Sequence, residues 1–134
     1  MDTLTSRTLE IIQRFNQAFV RHDAALLDDL VAEDCVMESV EPAPDGTRVV
    51  GREACLAFWQ KLAASRDGAF EDESIVAGNE YGIIRWRYRF GPDLSKSVRG
   101  VTVMRVRDAR IIEAHGYVKS GDGGVATAAR DATG

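Results

Sequence analysis

The residues best suited to proton transfer lie in two short segments of the sequence. Glu38 and Glu41 belong to the first segment, and Glu113 and His115 belong to the second. A carboxylate can act as a general base when burial raises its pKa, and a carboxylate beside a histidine can exchange protons with it. Glu113 and His115 are two residues apart, so a β-strand would place both on one face. They are candidates for an acid–base pair or for surface ion pairs.

Other residues that could catalyse a reaction or bind a metal lack the partner residues of a known catalytic or metal-binding motif. His22 precedes Asp23, a residue type that caps helices, so we expect His22 at a helix end. The sequence has no Ser-His-Asp order, glycine-rich phosphate loop or zinc-ligand spacing. Cys35 and Cys55 stand alone, and we expect both to be reduced core residues. We therefore expect no metal and no cofactor, and no catalytic residue is assigned.

Composition and charge narrow the class of protein. The 134 residues are 45% hydrophobic and 28% charged, which is typical of one globular domain. The sequence has no apolar run of about 18 residues, and it does not begin like a signal peptide, so we expect a cytoplasmic protein without a membrane partner. The net charge is −4, yet eight basic and two acidic residues make positions 85–110 strongly positive. The overall acidity argues against a nucleic-acid partner.

The first half of the chain has helical periodicity. Apolar residues from Ile11 to Phe19 follow helical spacing, and Thr5 or Ser6 would cap this first helix. Asp23 would cap a short second helix. A third helix should follow Gly51, because one apolar stripe is formed by Cys55, Phe58, Trp59 and Leu62.

The second half has the period of β-strands. We predict strands over residues 35–40, 70–77, 82–90, 97–107 and 110–118. The turn residues after positions 90 and 107 indicate that the last three strands form an antiparallel meander. The pattern predicts an α+β fold with one domain over residues 1–119. A flexible tail rich in glycine and alanine would follow over residues 120–134.

Alternation assigns the two faces of the predicted sheet. In the strand after Gly82, aromatic residues alternate with Arg85, Arg87 and Arg89, and the aromatic side should be buried. In the last strand we expect the inward residues to be Ile112, Ala114, Gly116 and Val118, and the outward residues to be Ile111, Glu113, His115 and Tyr117. Small residues opposite large aromatic residues predict a ligand cavity.

Three segments resemble the SnoaL-like polyketide cyclases and ketosteroid isomerases of the nuclear transport factor 2-like superfamily. They are residues 21–35, residues 50–59 and residues 103–113, and the similarity spans about residues 8 to 119. The resemblance implies a cone-shaped α+β barrel, with three N-terminal helices packed in a curved, mostly antiparallel sheet around an apolar pocket. It also implies dimerisation through the outer face of the sheet.

The catalytic residues of these families do not carry over to this sequence. Phe15 stands where the isomerases have a tyrosine donor, and Ser39 stands where they have the aspartate base. Thr102 occupies the position of their protonated aspartate, and Gly116 that of the aspartate of the cyclases and epoxide hydrolases. Ketosteroid isomerisation needs a carboxylate base and paired donors. An enzyme of this kind would be a cyclase, isomerase or hydrolase-type lyase for a small apolar substrate, and not a classical ketosteroid isomerase.

Two functions remain open. The first is a pocket that binds or transforms a polyketide-, steroid- or terpenoid-like molecule, and its predicted lining is Phe15, Phe19, Met37, Ser39, Phe58, Trp59, Ile84, Trp86, Tyr88, Thr102, Met104, Ala114 and Gly116. The second is a non-catalytic interaction module that uses the outer sheet face. That face would form a homodimer through apolar residues that include Val101, Val103 and Ile111. Its arginines would pair with Glu113 and with residues 71–73 across the two-fold axis.

Overall fold

The computed structural model describes residues 2–119, and the predicted flexible tail lies outside these described residues. The helices are α1 (Thr3–Val20) and α2 (Arg52–Ala64). The strands are β1 (Val31–Glu38), β2 (Arg48–Val50), β3 (Gly68–Gly78), β4 (Tyr81–Phe90), β5 (Lys96–Arg107) and β6 (Arg110–Val118). The α+β class is confirmed. Among the described residues, neither helix is long and apolar enough to cross a membrane.

Residues 2–119 contain two α-helices rather than the predicted three. The segment predicted as a second helix is a single 3₁₀ turn, Ala24–Leu27. α1 ends at Val20, and His22 has a φ of 55°, which a continuing helix does not allow. β1 starts at Val31, four positions earlier than predicted, so the connection has room for only one turn.

α1 is capped by Asp2 rather than by the predicted Thr5 or Ser6, and the side chains of Thr5 and Thr8 anchor its first turns. Asp2 caps the helix, and its Oδ1 accepts a hydrogen bond from the Thr5 backbone N–H at 2.7 Å. Thr5 Oγ1 accepts a hydrogen bond from the Asn79 N–H at 2.9 Å, and the Thr8 hydroxyl donates to the Asn79 carbonyl at 2.6 Å. These bonds join the first turns of α1 to the reversal between β3 and β4.

The six strands form one mixed sheet in the order β2-β1-β6-β5-β4-β3. The predicted meander of β4, β5 and β6 is antiparallel, whereas β1 and β6 are parallel. α1 packs against β3, β4 and β5, and α2 packs against β1 and β2. We call the sheet face toward α1 the inner face and the opposite face the outer face.

Alternation predicts the faces of β4 correctly, and in β6 it fails only at Ile111 and Ile112. In β4, Ile84 and Trp86 are buried, whereas Ile83 and Arg85 are exposed. In β6, a register shift opposite Arg105 and Val106 makes Ile112 an extra residue. Ile111 therefore belongs to the buried core, and Ile112 borders a groove on the outer face. Both side chains were assigned to the wrong face because the bulge inverts the alternation.

Candidate functional site

One end of the inner face is only partly buried. Phe70, Tyr88 and Val98 form a cross-strand row on β3, β4 and β5, and all three side chains are half-buried. Val40, which follows β1, is also half-buried and packs against the core. We call this region, defined by Val40, Phe70, Tyr88 and Val98, the open end. These four side chains are therefore partly accessible to solvent.

A cluster of aromatic rings leads from the core to the open end. Phe15 contacts Trp59 edge-on with ring centroids 4.9 Å apart, and Phe19 contacts Phe70 at 5.7 Å. The aromatic cluster comprises Phe15, Phe19, Trp59, Phe70, Trp86, Tyr88 and Phe90. Edge-on and offset contacts are the favoured geometries for aromatic pairs. The cluster thus forms one apolar surface that joins the interior to the open end.

Side chains of the protein itself occupy the spaces next to the inward glycines. The Trp86 ring lies where a side chain on Gly100 would stand, and Ile12 takes the corresponding place at Gly82. At Gly116, where small residues predict a space, the Val40 Cγ1 atom lies 3.1 Å from the position of a Cβ atom. Access of a ligand to the region above Gly116 therefore requires Val40 to move.

The polar groups of the inner face differ in how they are paired. The Trp86 Nε1–H donates a hydrogen bond to Thr102 Oγ1 at 3.0 Å, so the Thr102 hydroxyl keeps its own proton for another acceptor. The Tyr88 hydroxyl has no hydrogen-bond partner among the described residues, and burial raises the pKa of its phenol. The Asn16 side-chain nitrogen is buried and also lacks a partner within this part of the chain.

The predicted pocket residues are distributed unevenly. Most are buried, namely Phe15, Phe19, Met37, Trp59, Ile84, Trp86, Met104 and Ala114. Tyr88, Thr102 and Gly116 are half-buried. Two residues lie elsewhere: Phe58 is 36% exposed on α2, and the Ser39 hydroxyl donates to the Glu41 carbonyl in the loop before β2. A role of this set in ligand binding remains a prediction.

Sequence patterns did not identify four residues of this region. Phe70 and Val98 could have been found by the alternation of β3 and β5, and each pairs directly with Tyr88. Asn16 is a polar residue that interrupts the apolar face of α1, and this interruption is visible in the sequence. Val40 reaches the interior through the path of a loop, which no periodicity reveals.

No carboxylate is buried in the described part of the chain. Its buried polar side chains are Thr5, Thr8 and Asn16. A general base that abstracts a proton from a buried substrate needs a titratable group within hydrogen-bond reach. The only buried titratable groups among residues 2–119 are the free thiols of Cys35 and Cys55, and burial raises the pKa of both. Both cysteines are reduced core residues, as predicted.

His115 is part of an ion-pair network on the outer face. Its Nδ1 lies 2.9 Å from Glu38 Oε1, and its Nε2 lies 3.4 Å from Glu113 Oε1. Arg105 also binds Glu113 at 3.1 Å, and together these bonds hold the pKa of Glu113 below its usual range, with Arg105 as the larger cause. Both ring nitrogens of His115 therefore face carboxylates of this outer-face network.

The outer-face arginines find acidic partners within the same chain. Arg89 binds Glu71 at 2.7 Å, and Arg99 binds Glu73 at 2.8 Å. Glu71 and Glu73 of β3 therefore pair within one chain, whereas the expected pairing across a two-fold axis stays a prediction. Two grooves lie on the same face: one of about 340 Å³ bordered by Arg85 and Tyr117, and one of about 320 Å³ bordered by His115 and Ile112.

The sequence matches the SnoaL-like domain family over residues 12–114. The chain belongs to this family. No curated protein matches the sequence. The SnoaL-like chain is similar to a nuclear transport factor 2-like protein of unknown function from Mesorhizobium loti, with 45% identity and a TM-score of 0.83, over 90% of this chain and 97% of that one.

More distant structures share the fold of this SnoaL-like domain. An epoxide hydrolase from Mycobacterium tuberculosis has 20% identity and a TM-score of 0.71, over 89% of this chain and 83% of that chain. A protein from Kribbella flavida, provisionally named a ketosteroid isomerase, has 18% identity and the same TM-score, over 87% and 81% of the two chains. Identities this low establish the fold alone.

Proposed function

We propose that this SnoaL-like domain binds a small, uncharged molecule built on apolar rings at the open end. The observation that carries this proposal is the aromatic cluster, which extends from the buried pair Phe15 and Trp59 to the half-buried Phe70 and Tyr88. Apolar pockets with a few polar groups are the usual form of small-molecule sites. Polyketide-, steroid- and terpenoid-like molecules have the required shape and polarity.

The polar side chains of the interior favour ligand binding without proton abstraction. Among residues 2–119, the buried side chains include no carboxylate and no histidine. The resemblance to the related enzymes implies that Phe15, Ser39, Thr102 and Gly116 stand at the positions of their catalytic groups. If this domain does catalyse a reaction, orientation of an apolar substrate between the rings would be its principal contribution.

A thermal-shift panel tests this proposal. Uncharged two-ring compounds such as tetralin and 1-tetralone should stabilise the protein by about 1.4 kcal/mol at ten times Kd, which raises Tm by about 5 °C. Val98→Trp would fill the open end and should remove the shift, whereas Tyr81→Trp adds the same indole on the exposed outer face and should keep it. The absence of any shift, or an equal shift in Val98→Trp, would overturn the proposal.

A second candidate function is self-association through the outer face. Val76, Ile83 and Tyr117 leave large apolar side chains exposed there, with exposures of 57%, 37% and 58%. A mixture of apolar residues and arginine is characteristic of protein interfaces. Because Glu71 and Glu73 already pair within the chain, such a homodimer would rest more on apolar contact than on exchanged ion pairs.

A further inference from the structure

We infer that the Tyr88 hydroxyl selects ligands by donating a hydrogen bond to an acceptor oxygen, such as a ketone carbonyl. This inference rests on the proposed binding function and adds the chemical group that the ligand carries. Tyr88 lies on the inner face in the row of Phe70 and Val98, and its hydroxyl has no partner among the described residues. The hydroxyl is not fully buried, so water satisfies it in the free protein, and a ligand oxygen would replace that water.

Gly68 leaves the room that the Tyr88 hydroxyl occupies. A Cβ atom on Gly68 would lie 2.1 Å from the hydroxyl oxygen and 2.2 Å from the ring carbon that carries it. Any other residue at this position would displace the phenol. The absence of a side chain at Gly68 therefore leaves space on β3 for the Tyr88 hydroxyl as well as for the end of its ring.

Neighbouring rings restrict the direction in which the hydroxyl points. The Tyr88 ring stacks on Phe90 with centroids 6.0 Å apart, and it contacts Phe70 at 4.6 Å in a tilted geometry. A tyrosine ring in contact with two other rings keeps fewer orientations than a free one, so less conformational entropy is lost when its hydroxyl binds. This arrangement is suited to recognition of one acceptor atom at a defined place.

The protonation state of Tyr88 matches the role of a donor. Burial raises the pKa of the phenol, and the negative charge of Asp67 acts in the same direction. The hydroxyl therefore keeps its proton throughout the neutral range. The same charge on Asp67 disfavours an anionic ligand at this point, which leaves a neutral carbonyl or ether oxygen as the expected acceptor.

The experiment compares 1-tetralone with tetralin, which share a ring skeleton and differ in the carbonyl group. Both are titrated by calorimetry into the wild type and Tyr88→Phe, a variant that removes only the hydroxyl. Tyr88→Phe should weaken 1-tetralone binding by about fivefold to tenfold and leave tetralin binding unchanged. Tyr81→Phe removes an exposed outer-face hydroxyl and should change neither affinity.

The outcomes separate this inference from the function on which it rests. Equal affinity of Tyr88→Phe and the wild type for 1-tetralone would overturn the role of the hydroxyl while the binding function stands. An equal loss for both compounds would assign Tyr88 to packing, and would also overturn it. Failure of both compounds to bind the wild type would instead refute the proposed function, and the inference with it.

Discussion

The Val40 Cγ1 atom lies 3.1 Å from the place where a side chain on Gly116 would begin. This contact joins the end of β1 to β6 and fills the space that the small residues of β6 leave open. If a ligand binds as proposed, it must displace Val40 to reach Gly116.

Val40→Ala should open this space. Loss of two methyl groups from a half-buried position should lower the free energy of unfolding by about 1 kcal/mol and raise the affinity for tetralin severalfold. Calorimetric titration and chemical denaturation measure the two effects. Val50→Ala, a change at an exposed position of β2, is the matched control and should alter neither quantity. A weaker affinity in Val40→Ala would show that Val40 contacts the ligand instead of excluding it.

Asn16→Leu should stabilise the protein. Leucine has the same number and branching of side-chain heavy atoms, but it removes a buried nitrogen that lacks a partner among the described residues. We expect the free energy of unfolding to rise by about 1 kcal/mol, because an unsatisfied buried donor costs about 1–3 kcal/mol. Urea denaturation checks this value, with Gln13→Leu on the exposed side of α1 as the control. A clear loss of stability in Asn16→Leu would show that the amide is satisfied in solution.

The acids of the outer face should make stability depend on pH. Hydrogen bonds from Arg105 and then His115 lower the pKa of Glu113 in the folded state. Its contribution is therefore present above its unfolded pKa of about 4.5 and is lost as the pH falls through the lower folded pKa. Glu113→Gln should reduce the decline of Tm between about pH 5 and pH 3. Glu10→Gln, on the exposed side of α1, should leave this decline unchanged, and an identical profile for Glu113→Gln would contradict the assignment.

Val103→Asp tests self-association through the outer face. A carboxylate placed in the middle of this face would be buried in a dimer, which costs the interface several kcal/mol. Light scattering should then show a dimeric wild type and a folded, monomeric variant. Leu4→Asp adds the same charge at an exposed position of α1 and should remain dimeric. A wild type that is already monomeric at tens of micromolar, roughly the Kd that this measurement tests, would exclude the dimer.

The sequence predicted well those elements whose two faces differ in chemistry. β4 alternates aromatic residues with arginines, so its buried face follows from the pattern. β6 offers two adjacent isoleucines, Ile111 and Ile112, and composition alone does not show which one the bulge places in the core. The buried face of a strand can thus be predicted from the sequence only where its two faces carry different residue types.

Features that depend on contacts between distant segments could not be predicted. Val40 covers Gly116 because of the path of the loop between β1 and β2, which has no periodic pattern. The pairing of Glu71 with Arg89 depends on the exact register of β3 and β4, which includes an irregularity between Asp72 and Ser74. The sequence therefore predicts which apolar residues belong to the candidate site, but not how these residues pack.

A titration of the ¹⁵N-labelled protein with 1-tetralone, followed by NMR, tests the central claim most directly. Binding at the open end should shift the amide signals of Val40, Phe70, Tyr88 and Val98 in a saturable manner, and the side-chain indole signals of Trp59 and Trp86 should move with them. Shifts confined to the outer-face groove at Arg85 and Tyr117, or no saturable shift at all, would contradict the account.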